Sequence, residues 1–381
     1  MSSLIAHYFD QGHSYDAVLA FLSELHGIHL SMRTLKYKLK KQGLSRRLNY
    51  ASQRDTIAAI RNELRGPGVL FGYRTKWQVL KQKYRLNVKR ETVMRVLPQL
   101  NPRGHQSRTV RRFVRRVYHS LGPNYIWHVD GYDKLKPFGF AISGCIDGFS
   151  RRLMWLTSGP TNNNPAVIAN NYVNCVVSNK IIPMRLRTDC GTENGTMAAI
   201  QAMLRRHHND YHAGNRSHLY GSSMSNQRIE SWWSIFRKGR AQFWMDLFGD
   251  IRDFGLFNGS HEHQCLLRYC FMNILQTDFN ECTSLWNLHR IRPSRMSLCP
   301  GGIPNEMYRL PQRFGARDCG FPLDVQELQQ LSENYGTVNI CGDEAIYFYL
   351  NNVIQQCRLP QAENVEAALE NYIQLKEMSG M

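Results

Sequence analysis

The sequence predicts an α/β protein: a mixed sheet with flanking helices, preceded by all-α units and followed by a small α+β tail. Three observations carry that expectation. Between residues 121 and 206 the segments run as three β-rich stretches, a helical one, a short strand and a second helix. In front of them, residues 4–97 space their apolar side chains at helical intervals. Behind residue 300 the chain turns acidic, with 5 Lys+Arg against 11 Asp+Glu.

A chain of 381 residues has room for two or three domains and a sizeable core. Its 43% hydrophobic content, with 7 Trp, 18 Tyr and 17 Phe, excludes a mainly disordered protein. It holds no apolar run of about eighteen residues, and MSSLIAHYFDQGHS lacks a charged-then-apolar leader, so a soluble, unsecreted protein with no membrane partner is expected. The 10 Cys stand singly with no CxxC pair, as in a reduced intracellular protein with neither a disulfide framework nor a zinc site. The net charge of +18 is unevenly placed. Residues 1–120 hold 24 Lys+Arg against 6 Asp+Glu, and residues 121–381 hold 24 of each. All the excess lies in front of the β-rich segment. Phosphate backbones suit such a charge, since neutralising them releases counterions; a merely solvated basic surface is the other reading.

Residues 1–48 outline a helix-turn-helix: three short helices broken near Gly12 and at Gly27–Leu30. Ser31 can cap the third helix, which sets Arg33, Lys36 and Lys40 on one face and turns Leu35 and Leu39 away from it. Residues 52–104 repeat the outline with Arg54–Leu64, a GPG turn, Gly72–Tyr84 and a helix Arg90–Leu97 that carries Thr92 and Arg95, before Pro98 and NPRG end it. Basic helical pairs of this kind bind DNA or protein. Residues 105–120 form a basic linker whose RTVRRFVRR, with Arg111, Arg112, Arg115 and Arg116, suits a phosphate backbone or a nuclear address.

The core is expected over residues 121–299. Its first strand, in NYIWHVDGYDKL, places Asp130 inside an apolar run, where an unpaired carboxylate is costly. Either a divalent cation neutralises it, or Asp130-Gly131 begins a turn. Phe138–Ile146 reads as a second strand and Arg151–Leu156 as a third, joined by a tight turn at Asp147-Gly148. A helix over Asn164–Ser178 follows, then a strand Met184–Thr188 running into Asp189, and a helix to about Arg206 that Thr192 or Asn194 can cap. That order is ribonuclease-H-like, with the first strand central and beside the fourth, which would bring Asp130 next to Asp189. Two adjacent carboxylates repel unless a cation sits between them. Residues 207–225, rich in Gly, Ser, Asn and His, read as a mobile loop near substrate. In the helix that follows, Ile229, Trp232, Trp233 and Phe236 make an apolar stripe, and Glu230, Ser234 and Arg237 the polar stripe beside it. Glu230 is a third acid for the same site, or a surface glutamate paired with Arg237 or Lys238. HEHQC at His261–Cys265 has zinc-like spacing but lies in a helical run, where packing is the better reading.

HVDGYDKLKPFGF (128–140), CIDGFSR (145–151), RTDCGTEN (187–194) and NQRIESWW (226–233) resemble the integrase core of DDE-type recombinases, which include retroviral integrases and related transposases. Within that family the chain most resembles cellular integrase-core proteins of animals and fungi, over about residues 1–315. The resemblance implies an RNase H-like fold with Asp130, Asp189 and Glu230 as catalytic, metal-binding acids, and DNA as the partner, with Arg237 and Lys238 beside the third acid. It also implies two Mg²⁺ or Mn²⁺ ions about 4 Å apart, no zinc, and a homo-oligomer when DNA ends are joined. The acids stand 59 and 41 residues apart. The sequence departs from the retroviral pattern in three places. The first Cys is Cys145, so no His/Cys zinc module precedes the core, and Cys190 and Trp233 each occupy a position where that pattern has Asn.

The expected function is metal-dependent DNA strand cleavage and strand transfer in a nucleus. The alternative is a host-captured, non-catalytic DNA-binding regulator that kept the fold; a nuclease without joining activity shares the same metal site. Residues 300–381 are expected as a small appendage that contacts protein, with strands such as Ala345–Tyr349 and a last helix over Asn364–Lys376.

Overall fold

Helical apolar spacing in the first hundred residues resolves into α1 (Ser2–Asp10), α2 (Tyr15–His26), α3 (Met32–Lys41), α4 (Gln53–Leu64), α5 (Tyr73–Gln82) and α6 (Arg90–Leu100). The computed structural model describes residues 1–45, 50–102, 118–221, 226–294, 297–324 and 339–380. These divide into two units, Met1–His119 with Leu285–Ala316, and Ser120–Ser284 with Arg317–Met381.

In the first unit α1–α3 enclose Ile5, Phe9, Val18, Leu22, Leu35 and Leu39. Ser14 and Ser31 cap α2 and α3 through their hydroxyls, as the sequence suggests for Ser31. Gly27 ends α2 in the left-handed conformation that costs glycine least. A second cluster under α4–α6 includes Ile60, Leu80, Val93 and Leu97. Pro98 lies inside the last stretch of α6 instead of ending it. The 105–120 linker falls largely outside the described residues, and Arg111, Arg112, Arg115 and Arg116 with it.

The second unit is built on a mixed sheet of β1 (Trp127–Tyr132), β2 (Ala141–Asp147), β3 (Leu153–Gly159), β5 (Leu186–Thr188) and β6 (His218–Tyr220), ordered β3-β2-β1-β5-β6. Antiparallel pairing joins β1 to β2 and β2 to β3, and parallel pairing joins β1 to β5 and β5 to β6. The first strand is therefore central and beside β5, as the element order predicts. Trp127 and Val129 point into a core with Ile168, Tyr172, Val176, Met197 and Ile200 of α7 (Pro165–Asn179) and α8 (Gly195–Leu204). The alternate residues of β1 face α9 (Gln227–Phe236), whose Trp233 and Phe236 rings lie 5.1 and 5.4 Å from Tyr132. Ile229, Trp232, Trp233 and Phe236 are all buried, so the predicted apolar stripe packs on the sheet. Asp147 ends β2 as a turn aspartate. Its Oδ1 accepts from the Asn124 N–H at 2.8 Å, and its Oδ2 accepts from the Ser150 N–H at 2.7 Å and hydroxyl at 2.6 Å. Burial nevertheless pushes this carboxyl up to about 6.

Four expectations are corrected. Residues 207–225 contain a strand, β6, too short to register as an alternating pattern. A two-residue strand β4 (Ile181–Ile182) precedes β5 and pairs with β7 (Phe321–Pro322) of the tail. Ala345–Tyr349 is helical within α13 (Glu344–Cys357). There Asp343 accepts from the Ile346 N–H as an N-cap, and Leu350 and Val353 are buried at helical spacing. The last helix, α14 (Val365–Ser379), is where it was expected. Asn194 stands at the N-cap of α8 but makes no cap bond, because its side chain turns elsewhere. Between α9 and α14, a π-helical turn (Arg237–Ala241) leads into α10 (Gln242–Asp253), and α11 (His261–Leu288) follows. No described helix is long and apolar enough to cross a membrane.

Gly144 sits across the β1–β2 ladder from Asp130, and a Cβ there would stand 2.6 Å from the Trp233 ring. Gly144→Ala is expected to cost about 1–3 kcal/mol by forcing α9 off the sheet, read as a lower urea midpoint. An unchanged midpoint would remove the reason given for a glycine there.

Candidate active site

Asp130 lies inside β1, between buried Val129 and exposed Gly131, so the strand continues through it and no turn begins there. The β1–β5 ladder pairs Trp127 with Leu186 and His128 with Arg187. Continuing that register by two residues sets Asp130 level with Asp189, which directly follows β5. Glu230 stands one turn into α9, its N–H bonded to the Asn226 carbonyl at 3.2 Å. All three acids are half-buried.

The charges of both other acids act on Asp130. Asp130 is pushed up to about 7, first by burial and next by the charge of Glu230, with Asp189 adding to it. Working the other way, the Trp233 indole N–H donates to Asp130 Oδ2 at 2.9 Å. Asp189 is oriented from its own loop: Oδ1 accepts from the Gly191 N–H at 3.2 Å and from Asn194 Nδ2 at 2.9 Å. That second bond is where the Asn194 side chain went.

Hard oxygen donors suit Mg²⁺ or Mn²⁺. The structural observation that bears on fit is Asp130: a buried carboxylate with two acids in reach is relieved by a cation among them. Among the described residues no group of three or more His, Cys, Asp or Glu side chains stands placed to hold a metal ion. HEHQC lies on α11, with His263 and Cys265 buried and His261 Nε2 at 3.0 Å from Asp343 Oδ2.

The basic residues singled out in the sequence divide between the units. Arg33, Lys36 and Lys40 are exposed on α3, opposite buried Leu35 and Leu39. Arg95 is exposed on α6 and lines a cleft of about 360 Å³ with Tyr50, Lys89 and Thr92. In the second unit Arg237 and Lys238 are exposed just past α9. Arg237 lies close enough to Tyr132 to draw its phenol down, although burial outweighs it and carries that group up to about 12.

Sequence reasoning missed His128 and Asn226. Both are buried, on β1 and at the head of α9, with His128 Nδ1 2.7 Å from Asn226 Oδ1. Burial presses the His128 imidazole down to about 3, against the Asn226 bond that favours its charge. The signal was present: His128 shares a strand face with Asp130, and Asn226 stands one helical turn before Glu230.

A mixed sheet with helices on both faces, whose central strand brings a carboxylate level with the one after its parallel neighbour, is consistent with an RNase H-like core. Residues 117–304, which contain all three acids, match the integrase core domain family. Over those residues the chain is similar to that family. No curated protein matches the chain.

Asp130 titrates higher in the fold than its ordinary value, so the folded state holds the extra proton. Its charged form therefore costs stability that is absent at about pH 4, grows as pH rises, and is fully present above about pH 7. Asp130→Asn should raise the melting temperature of metal-free protein by a few degrees at pH 8 and leave it unchanged at pH 4. A gain that does not grow with pH would mean Asp130 lies outside the acid cluster.

Proposed function

We propose that this chain is a DNA recombinase of integrase or transposase type, cleaving DNA strands and transferring their ends with Mg²⁺ or Mn²⁺ held by Asp130, Asp189 and Glu230. What supports this reading is that Glu230 and Asp189 both act by their charge on Asp130, within the stretch that matches the integrase core domain. Bound there, two divalent ions supply activation of a water or a DNA 3′-hydroxyl and stabilisation of the departing oxygen. No side chain is needed as nucleophile. The protein's part is to hold and orient: Trp233 fixes Asp130, Gly191 and Asn194 fix Asp189, and Arg237 and Lys238 offer positive charge to phosphate next to α9.

DNA binding is assigned to α3 through Arg33, Lys36 and Lys40, to Arg95, and to Arg111, Arg112, Arg115 and Arg116 of the linker, which also suits a nuclear address. Joining two DNA ends calls for more than one copy, and the acidic tail is assigned to protein contacts.

The 381-residue chain offered a labelled DNA end with Mg²⁺ or Mn²⁺ should give nicked or joined product. Asp189→Asn should lower that rate by at least ~10²-fold, the scale of removing one electrostatic partner of the reacting group. Equal DNA binding by both proteins with no product from either would support the non-catalytic regulator instead. Replacing Arg33, Lys36 and Lys40 together with Ala should flatten the slope of log affinity against log salt by ~0.9 for each phosphate they neutralise. An unchanged slope would take α3 out of the DNA interface.

A further inference from the structure

Asn226 is buried at the head of α9 and uses both ends of its amide on β1. Nδ2 donates to the Val129 carbonyl at 2.8 Å, one residue past His128↔Arg187, the last pair of the β1–β5 ladder. With the nitrogen committed to a carbonyl, Oδ1 must be the atom facing His128 at 2.7 Å, so His128 Nδ1 carries the hydrogen and donates it. The two bonds grip β1 at the two residues that precede Asp130. On the helix side the Glu230 N–H bonds back to the Asn226 carbonyl at 3.2 Å. Three residues beyond Glu230, Trp233 closes a second bond to Asp130 itself. Glu230 is thus bracketed, and the bracket on its N-terminal side touches neither it nor Asp130 through a side chain.

We propose that Asn226 and His128 are positioning residues: their bond fixes the first turn of α9 on β1 and so sets the distance at which Glu230 and Asp130 present their oxygens to a divalent cation. The inference rests on reading Asp130, Asp189 and Glu230 as the metal ligands. Residues that orient ligating carboxylates typically contribute 10–100-fold in metal affinity, and a latch on a helix end acts in the same way through the backbone.

The 381-residue chain would be titrated with Mn²⁺, counting the free ion by its electron spin resonance signal. The set is wild type, Asn226→Ala, His128→Leu, His128→Asn and Asp189→Asn. The latch predicts roughly 10-fold weaker Mn²⁺ binding in Asn226→Ala and His128→Leu. It predicts near wild-type binding in His128→Asn, whose amide places a donor where Nδ1 stands. A packing role for this buried position predicts the reverse order, Leu above Asn, and that order would overturn the proposal. So would Asn226→Ala binding Mn²⁺ as tightly as wild type. If Asn226→Ala fails to fold, as circular dichroism would show, the two His128 variants carry the comparison alone. If wild type and Asp189→Asn bind Mn²⁺ equally, or neither binds it, the metal site itself is wrong and the latch falls with it. Failure confined to the order of the latch variants leaves the metal site standing.

Discussion

A half-buried carboxylate that feels the charge of two other acids, as Asp130 does of Glu230 and Asp189, is costly to hold, and contacts in the second unit orient these acids. Asp130 is tied by Trp233, and Asp189 by Gly191 and Asn194. The aromatic side of α9 supplies the anchoring. Trp232 stacks on Phe236 at 5.0 Å, Phe236 meets Phe279 at 5.3 Å, and Trp233 fits over Gly144. Apolar burial of this size outweighs a repulsion that water already screens in part. The acids are kept because the packing around them is strong enough to tolerate them.

The charge partition in the sequence follows the division of the molecule. The first unit takes most of the basic front end, with Arg33, Lys36, Lys40 and Arg95 outward over a core of Ile, Leu, Val and Phe. The acids belong to the second unit, which carries 19 Lys+Arg against 23 Asp+Glu. The excess positive charge and the three acids thus lie on different stretches of chain. Each can then be tuned without upsetting the other's electrostatics.

Much of this was legible because it is periodic. The alternation around Asp130 and the 3.6-residue stripe through Trp232 and Phe236 follow from side-chain direction alone, and the element order fixed which strands would be neighbours. What escaped was set by long-range pairing or by competition for one side chain. Strand β6 is three residues long and exists because β5 offers it an edge. Asn194 had two possible partners, a helix end and a carboxylate, and only the fold decides between them. His128 and Asn226 are 98 residues apart and meet only when α9 lies on the sheet. Ala345–Tyr349 alternates like a strand, but the Asp343 cap and the burial of Leu350 and Val353 outweigh that pattern.

The pairing of Ile181–Ile182 with Phe321–Pro322 has a bearing on where this protein can be cut. The stretch matched by the family ends at residue 304, yet the strand Ile181–Ile182 inside it borrows its neighbour from residues 321–322. The same Phe321 ring roofs the buried Arg205 guanidinium at 3.7 Å. A fragment trimmed at the family boundary would leave a cation without its aromatic cover and a strand without its mate. The portion that the family match covers is therefore smaller than the portion that folds, and dissection of this core has to follow the hydrogen bonds.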